Sequence, residues 1–271
     1  MSLLQVENIS KSYGNFWAVN QVSFSLEAGQ MLALIGPNGA GKSTTFNMIG
    51  GQTRADNGCI WFDANSLSTS KREGALTGKV DLLGLSSEEI WSLGIGRTFQ
   101  IAEIFPSLTV RENVQLALQV AHGKGLVWWN KSYQDYQDEA ESLLIDLAMQ
   151  ENINRAASEI AYGDVKRLEL AMALASQPKL LLMDEPTAGM SPTERMEMMA
   201  LTKRLSQQRD MAVLFTEHSM DVVFTYADYI IVMAAGNIVA AGTPNQIKDN
   251  PVVKEVYLGS VVVEDKAIVQ A

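Results

Sequence analysis

The run Gly36-Pro37-Asn38-Gly39-Ala40-Gly41-Lys42-Ser43-Thr44 constrains this chain more than any other stretch. It fits the spacing G-x-x-x-x-G-K-[ST], a loop that wraps a phosphate. The apolar run Met31-Leu32-Ala33-Leu34-Ile35 in front of it reads as a buried strand, and Ser43 to Ile49 behind it can open a helix. Glycines let successive backbone N–H groups curl round an anion without Cβ clashes. The helix N-terminus adds the positive end of its dipole. In such a loop Gly36, Asn38, Gly39, Gly41 and Thr44 form the cradle. Lys42 reaches the β- and γ-phosphates, and the Ser43 hydroxyl ligates Mg²⁺.

The loop needs a large core behind it, and 271 residues with 47% hydrophobic content supply one domain with room for a subdomain. A formal net charge of −10 argues against general nucleic-acid binding, which wants a basic surface. No stretch reaches the roughly 18 uninterrupted apolar residues of a spanning helix. The first residues show no basic segment followed by an apolar run, so no signal peptide is expected. Cys59 is the only cysteine, which rules out an intrachain disulfide and fits a reducing compartment.

Along the chain, strands are expected at Leu4 to Val6, Val22 to Leu26, 58–62, Lys179 to Asp184, Met211 to Thr216 and 229–233. Helices are expected at Ser86 to Leu93, 109–120, 132–148, Asp164 to Ser176 and about Pro192 to Gln207. Ser86 and Ser87 are candidate caps, with Glu88 and Glu89 in the first turn. Strands alternating with helices indicate an α/β fold with a mainly parallel sheet. The block 101–160 reads as an inserted helical subdomain, 65–80 as an exposed loop, and 261–271 as a loose tail.

Other residues give the phosphate loop its chemistry. Asp184 ends an apolar strand and is placed to hold Mg²⁺; Glu185, one residue on, is placed to polarise an attacking water. His218 follows another buried strand, where α/β folds seat their ligands, and could bond a γ-phosphate. Arg97-Thr98-Phe99-Gln100 follows a glycine-flanked strand, and Gln100 could touch Mg²⁺ and the water. Tyr13 could stack on adenine, an interaction worth about 1–3 kcal/mol for aromatics on bases. Ile160-Ala161-Tyr162-Gly163-Asp164 caps the helix feeding the acidic strand and offers N–H groups to an anion.

This order of parts resembles the ATP-binding-cassette (ABC) family over about residues 3–259. The resemblance implies a P-loop NTPase core, a mainly parallel sheet with an antiparallel β-subdomain, and the helical insertion. It implies roles for Tyr13 (adenine stacking), 36–44 (phosphate loop), Gln100 (Q-loop), Asp184 and Glu185 (magnesium acid and catalytic glutamate), and His218 (switch histidine). Thr187 to Ser191 occupy the D-loop. Ala161, Tyr162, Gly163 and Asp164 fall in the signature, which faces the ATP of a partner subunit. Finer features look like the ATPase subunits of bacterial branched-chain amino-acid importers: Gly96 to Gln100, Ala161-Tyr162-Gly163, Glu217-His218-Ser219-Met220, and the ending Asn250 to Gly259. Urea or amide importer ATPases look similar; a soluble ABC ATPase and a small-molecule kinase are the rival classes.

The resemblance further implies ATP and Mg²⁺, permease subunits and a second ATPase subunit in a hetero- or homodimer. It implies an indirect link to a periplasmic binding protein and a peripheral place on the cytoplasmic face of the inner membrane, with no nucleic-acid partner. The chain departs from the family at 65–80, which looks inserted, and in the signature, with Ala161 where the general family has Ser (an alanine that the resemblance to branched-chain importer subunits shares) and Asp164 where it has Gln. A carboxylate there is expected to oppose a facing phosphate and weaken that half-site, with Lys166 and Arg167 near enough in sequence to offset part. Trp128 and Trp129 either touch a membrane partner or pack the helical region.

Overall fold

The computed structural model describes residues 2–64, 78–98, 104–123 and 136–256. The fold is built on two sheets. One is wholly antiparallel: β1 (Ser2–Tyr13) lies between β2 (Phe16–Glu27) and β4 (Asn57–Asp63), and β5 (Lys79–Asp81) closes the far edge. The other has β3 (Met31–Ile35) inside it, flanked by β8 (Ala212–Thr216) and β9 (Tyr229–Ala234). Beyond β8 lie β7 (Leu180–Asp184) and β6 (Ile95–Thr98), all parallel; β10 (Asn237–Gly242) is an antiparallel edge.

Strand β3 and most of β7, β8 and β9 are apolar because both faces are covered, whereas β6 carries Arg97 and Thr98 at its end. Along β3 the side chains alternate between two cores. Met31, Ala33 and Ile35 join one with Leu181, Met183, Val213 and Phe215. Leu32 and Leu34 join the other, with Leu4, Val6, Phe46 and Phe62. The second core fastens the antiparallel sheet to the parallel one. The start of β3 is pinned as well: the Met31 N–H donates to the Asp228 carboxylate at 2.8 Å, which also takes Lys203 Nζ at 2.6 Å.

The helices are α1 (Lys42–Ile49), α2 (Ser87–Ser92), α3 (Val110–Ala121), α4 (Gln137–Asp146), α5 (Tyr162–Leu174), α6 (Pro192–Arg209), α7 (Met220–Tyr226) and α8 (Pro244–Asp249). Helix α2 starts at Ser86, whose hydroxyl accepts from Glu89 N–H while the Glu89 carboxylate accepts from Ser86 N–H, a reciprocal cap. Helices α3, α4 and α5 pack on one another. The expected helical insertion therefore consists, among the described residues, of α3, α4 and two single 3₁₀ turns, lying against α5.

Some boundaries differ from expectation. Lys79 and Val80 pair with Asp63 and Phe62, so the polar stretch at 65–80 ends in a strand. Arg97 and Thr98 lie inside β6 rather than after it, because parallel pairing with Leu182 and Met183 holds them extended. Helix α5 begins at Tyr162, ahead of the expected Asp164. Strand β10 and helices α7 and α8 were not expected. The residues 65–77, Gln100, Trp128, Trp129 and the 261–271 tail fall outside the described residues.

Candidate functional site

The parallel strands end in register. Leu34 is level with Thr216, and Thr216 with Asp184, so the C-terminal ends of β3, β8 and β7 form one rim. Everything with candidate chemistry in the core emerges there.

From β3 the chain turns through 36–41 into α1. Gly36 and Gly41 have φ of 150° and 102°, and a Cβ on either would run into a backbone oxygen, that of Met233 or of Ala18. Only glycine fits both positions. Helix α1 has Gly41 as its N-cap and no side-chain cap, so its first N–H groups remain available to an anion. Lys42 is buried, and its ammonium donates to the carbonyls of Gly36 at 2.7 Å and Pro37 at 3.0 Å. Burial holds its pKa below the usual lysine value, and the Glu185 and Asp184 carboxylates offset only part of that. Ser43 is exposed and Thr44 half-buried on the first turn, with Asn38 and Gly39 exposed on the loop.

At the rim, Thr216 joins the two acids. Its hydroxyl donates to Asp184 Oδ1 at 2.7 Å and accepts the Glu185 N–H at 2.9 Å. Glu185 has φ of 50°, a left-handed conformation uncommon for a residue with a side chain. His218 Nε2 lies 2.8 Å from Glu185 Oε1. With an ionised carboxylate, which can only accept, this contact is a hydrogen bond in the tautomer that carries its proton on Nε2. The next carboxylate, Glu217, is buried and takes Thr187 N–H and hydroxyl on one oxygen and His218 N–H on the other. On sequence alone Thr216 has no role and Glu217 only a place in a motif. A hydroxyl closing an apolar strand just before the glutamate and histidine was the available signal.

The structure thus brings 36–44, Asp184, Glu185 and His218 to one rim. Tyr13 sits at the end of β1, exposed, with Lys11 Nζ 5.8 Å from its ring centre. Asp56 anchors this end of β1, binding Lys11 Nζ at 2.7 Å and the Ser12 N–H at 2.8 Å. Those bonds bring its pKa down from 3.8 to about 2.

The residues 161–164 lie elsewhere, at the start of α5. Ala161 is the N-cap and makes no side-chain cap. Tyr162 is exposed; its hydroxyl donates to Ala188 O at 3.3 Å, and its ring covers Gly189. The Asp164 carboxylate is engaged inside its own chain: Asn152 Nδ2 donates to it at 3.0 Å and Arg167 Nη1 lies 3.6 Å away. Lys166 points elsewhere, into a buried pair with Glu169 at 3.0 Å.

Between α2, α3 and α5 runs an open groove of about 480 Å³ lined by Ile90, Trp91, Phe105, Leu116, Val120 and Met172. Among the described residues no helix is long and apolar enough to cross a membrane.

Comparison with known proteins joins these features. The family model described as "ABC transporter" matches residues 19–188. The high-affinity branched-chain amino acid transport ATP-binding protein BraF of Pseudomonas aeruginosa is 34% identical, over 95% of this chain and 98% of that protein. The corresponding LivG of Escherichia coli (strain K12) is 35% identical over the same shares. Among solved structures, the ADP conformation of MJ1267, an ATP-binding cassette of an ABC transporter, matches with a TM-score of 0.79 and 30% identity. It covers 96% of this chain and 99% of that one.

Proposed function

The chain belongs to the ABC transporter family, and from that premise we propose that it is the ATP-hydrolysing subunit of an importer for branched-chain amino acids. One observation carries the hydrolytic part: His218 Nε2 bonded to Glu185 Oε1 at 2.8 Å, on the rim from which the phosphate loop starts. Near-end-to-end similarity to BraF and LivG, named for that transport, supports the solute class.

In this reading Tyr13 stacks on the adenine, and Gly36, Asn38, Gly39, Gly41 and Thr44 cradle the phosphates with Lys42. The cradle suits an anion: Gly36 and Gly41 leave no room for a Cβ, and its lysine rests on backbone carbonyls that a phosphate would replace. Ser43 and Asp184 would hold Mg²⁺, with Gln100 as the third group. The exposed hydroxyl and the carboxylate braced by Thr216 fit that oxygen chemistry. Bound there, the ion neutralises charge on the β- and γ-phosphates. Glu185 polarises the attacking water, and His218 turns its Nε2 proton from Glu185 to the γ-phosphate when nucleotide is bound.

The first turn of α5 needs a second ATPase chain, hetero- or homodimeric, to give its N–H groups a phosphate to face. The apolar groove beside α2, α3 and α5 seats a helix of a membrane-embedded permease. The subunit then sits peripherally on the cytoplasmic face of the inner membrane, with a periplasmic binding protein delivering solute on the other side.

Co-expression with candidate permeases and reconstitution in vesicles tests this. ATP-dependent uptake of labelled leucine that vanishes in Glu185→Gln is the expected result. Uptake of urea or an amide instead would overturn the solute class. ATP hydrolysis without membrane association would overturn the transport role.

A further inference from the structure

We propose that Glu217 is a positioning residue for hydrolysis, its carboxylate clamping the segment after Glu185 to the segment that carries His218. The inference rests on the reading that Glu185 and His218 work at the γ-phosphate.

Glu217 is 5% exposed, and Thr187, its main partner, 1%. One carboxylate oxygen accepts both the Thr187 N–H at 3.0 Å and the Thr187 hydroxyl at 2.6 Å. The other accepts the N–H of His218 at 3.2 Å. Three donors converge on a group that only accepts when ionised, and such charge-assisted bonds are about twice as strong as neutral ones. Stability alone is a poor reason for a buried charge, since apolar packing usually does as well. The placement supplies another reason. Thr187 lies two residues after Glu185, whose left-handed backbone persists only where its surroundings hold it. Glu185 is thus held on one side by Thr216 and on the other through Thr187. Because Glu217 directly precedes His218 and its carboxylate also takes the His218 N–H, its two bonds to Thr187 couple the two strand ends. The 2.8 Å contact between His218 and Glu185 depends on that.

A glutamine would keep the shape but could not satisfy both sides: it has one acceptor oxygen, and its amide NH₂ would confront an N–H. In steady-state hydrolysis of Mg-ATP by the full-length chain, Glu217→Gln is expected to lower kcat about 10- to 100-fold, the size of effect that a small misplacement produces. KM for ATP should stay within about twofold, because the cradle at 36–44 is untouched. Thr187→Val should lower kcat in the same direction and Thr187→Ser should restore it. The Glu217→Gln/Thr187→Val double variant should lose less than the product of the single effects.

Wild-type kcat in Glu217→Gln would overturn the proposal. So would equal losses in kcat, ATP affinity and thermal midpoint, which mark a merely structural residue. If Glu217→Gln does not fold, the Thr187 pair decides, and wild-type kcat in Thr187→Val overturns the clamp. Glu185→Gln run in parallel separates the premises: normal turnover there removes the underlying reading, whereas lost turnover there with normal Glu217→Gln removes only this one.

Discussion

The rim of the parallel sheet and the start of α5 both present backbone N–H groups to an anion, yet they are built to different degrees. At the rim, Lys42, Asp184, Glu185, Thr216 and Glu217 are each held by bonds within the chain. At α5, Tyr162 is exposed, and the one charged residue of the first turn is drawn sideways by Asn152 and Arg167. The rim is the more fully positioned side, set by its own chain; the half-built side, at α5, is left open to another surface.

The largest expected effect tests the complete side. Glu185→Gln should retain ATP binding but lose roughly 10²–10⁴-fold in turnover, the range for a positioned base. Lys42→Ala should lose binding itself, because the phosphates lose their main cation. Nucleotide titration together with phosphate release distinguishes the two, and normal turnover in Glu185→Gln would end the contrast.

Next comes the scaffold. Leu34, fully buried in β3 level with Thr216, holds the rim's register. Leu34→Ala should cost about 2–5 kcal/mol by chemical denaturation, as large-to-small core changes do. An equally buried residue of the α5 neighbourhood, such as Leu144, should cost a similar amount when changed to alanine, yet disturb ATP binding less.

A smaller effect sharpens the half-built side. Sequence reasoning made Asp164 repel a facing phosphate. With Arg167 beside it, part of that charge is offset, so Asp164→Gln should strengthen ATP-driven association only severalfold, in line with about 0.3–1 kcal/mol for a charge at a helix end. Arg167→Ala leaves the carboxylate with Asn152 alone and also releases Glu197, which Arg167 holds at 3.0 Å, so it should weaken association more than Asp164→Gln strengthens it. Sizing a Glu185→Gln background with and without Mg-ATP, at fixed salt, checks both. Equal association in all variants would mean that the carboxylate does not face a phosphate.

The smallest effect concerns Asp56, which secures the end of β1 that carries Tyr13. Its folded pKa of about 2 lies below the ordinary 3.8. The stability difference between wild type and Asp56→Asn should therefore be full above 3.8 and disappear as pH falls through about 2. Thermal melts across that range measure it. A difference that grew on acidification would contradict the Lys11 and Ser12 bonds.

Much of the rim was legible before any coordinates. The strand-loop-helix order around Lys42, the acids closing β7 and the histidine after β8 are local patterns, each carried by a few adjacent residues. The reciprocal cap at Ser86 was legible for the same reason. Strand β10 was not: its Asn237–Gly242 sequence is rich in alanine and glycine, and pairing with β9 makes it a strand. Helix α8 hid behind its shortness, although Thr243, Pro244 and Gln246 form a recognisable start.

What the sequence determined alone was the chemistry available: a loop only glycine can make, one lysine aimed into it, two acids at the end of an apolar strand, and a histidine after the next. These follow from short-range sterics and from the need to bury runs of apolar residues. The tertiary structure decided which of those groups meet. Strand order places β7 beside β8, so that Thr216 braces both acids and Glu217 reaches Thr187, thirty residues away along the chain. It also decided that Asp164 turns to Asn152 and Arg167. Such pairings depend on register between distant segments, and a hydrogen bond of about 3 Å exists only once packing has set that register.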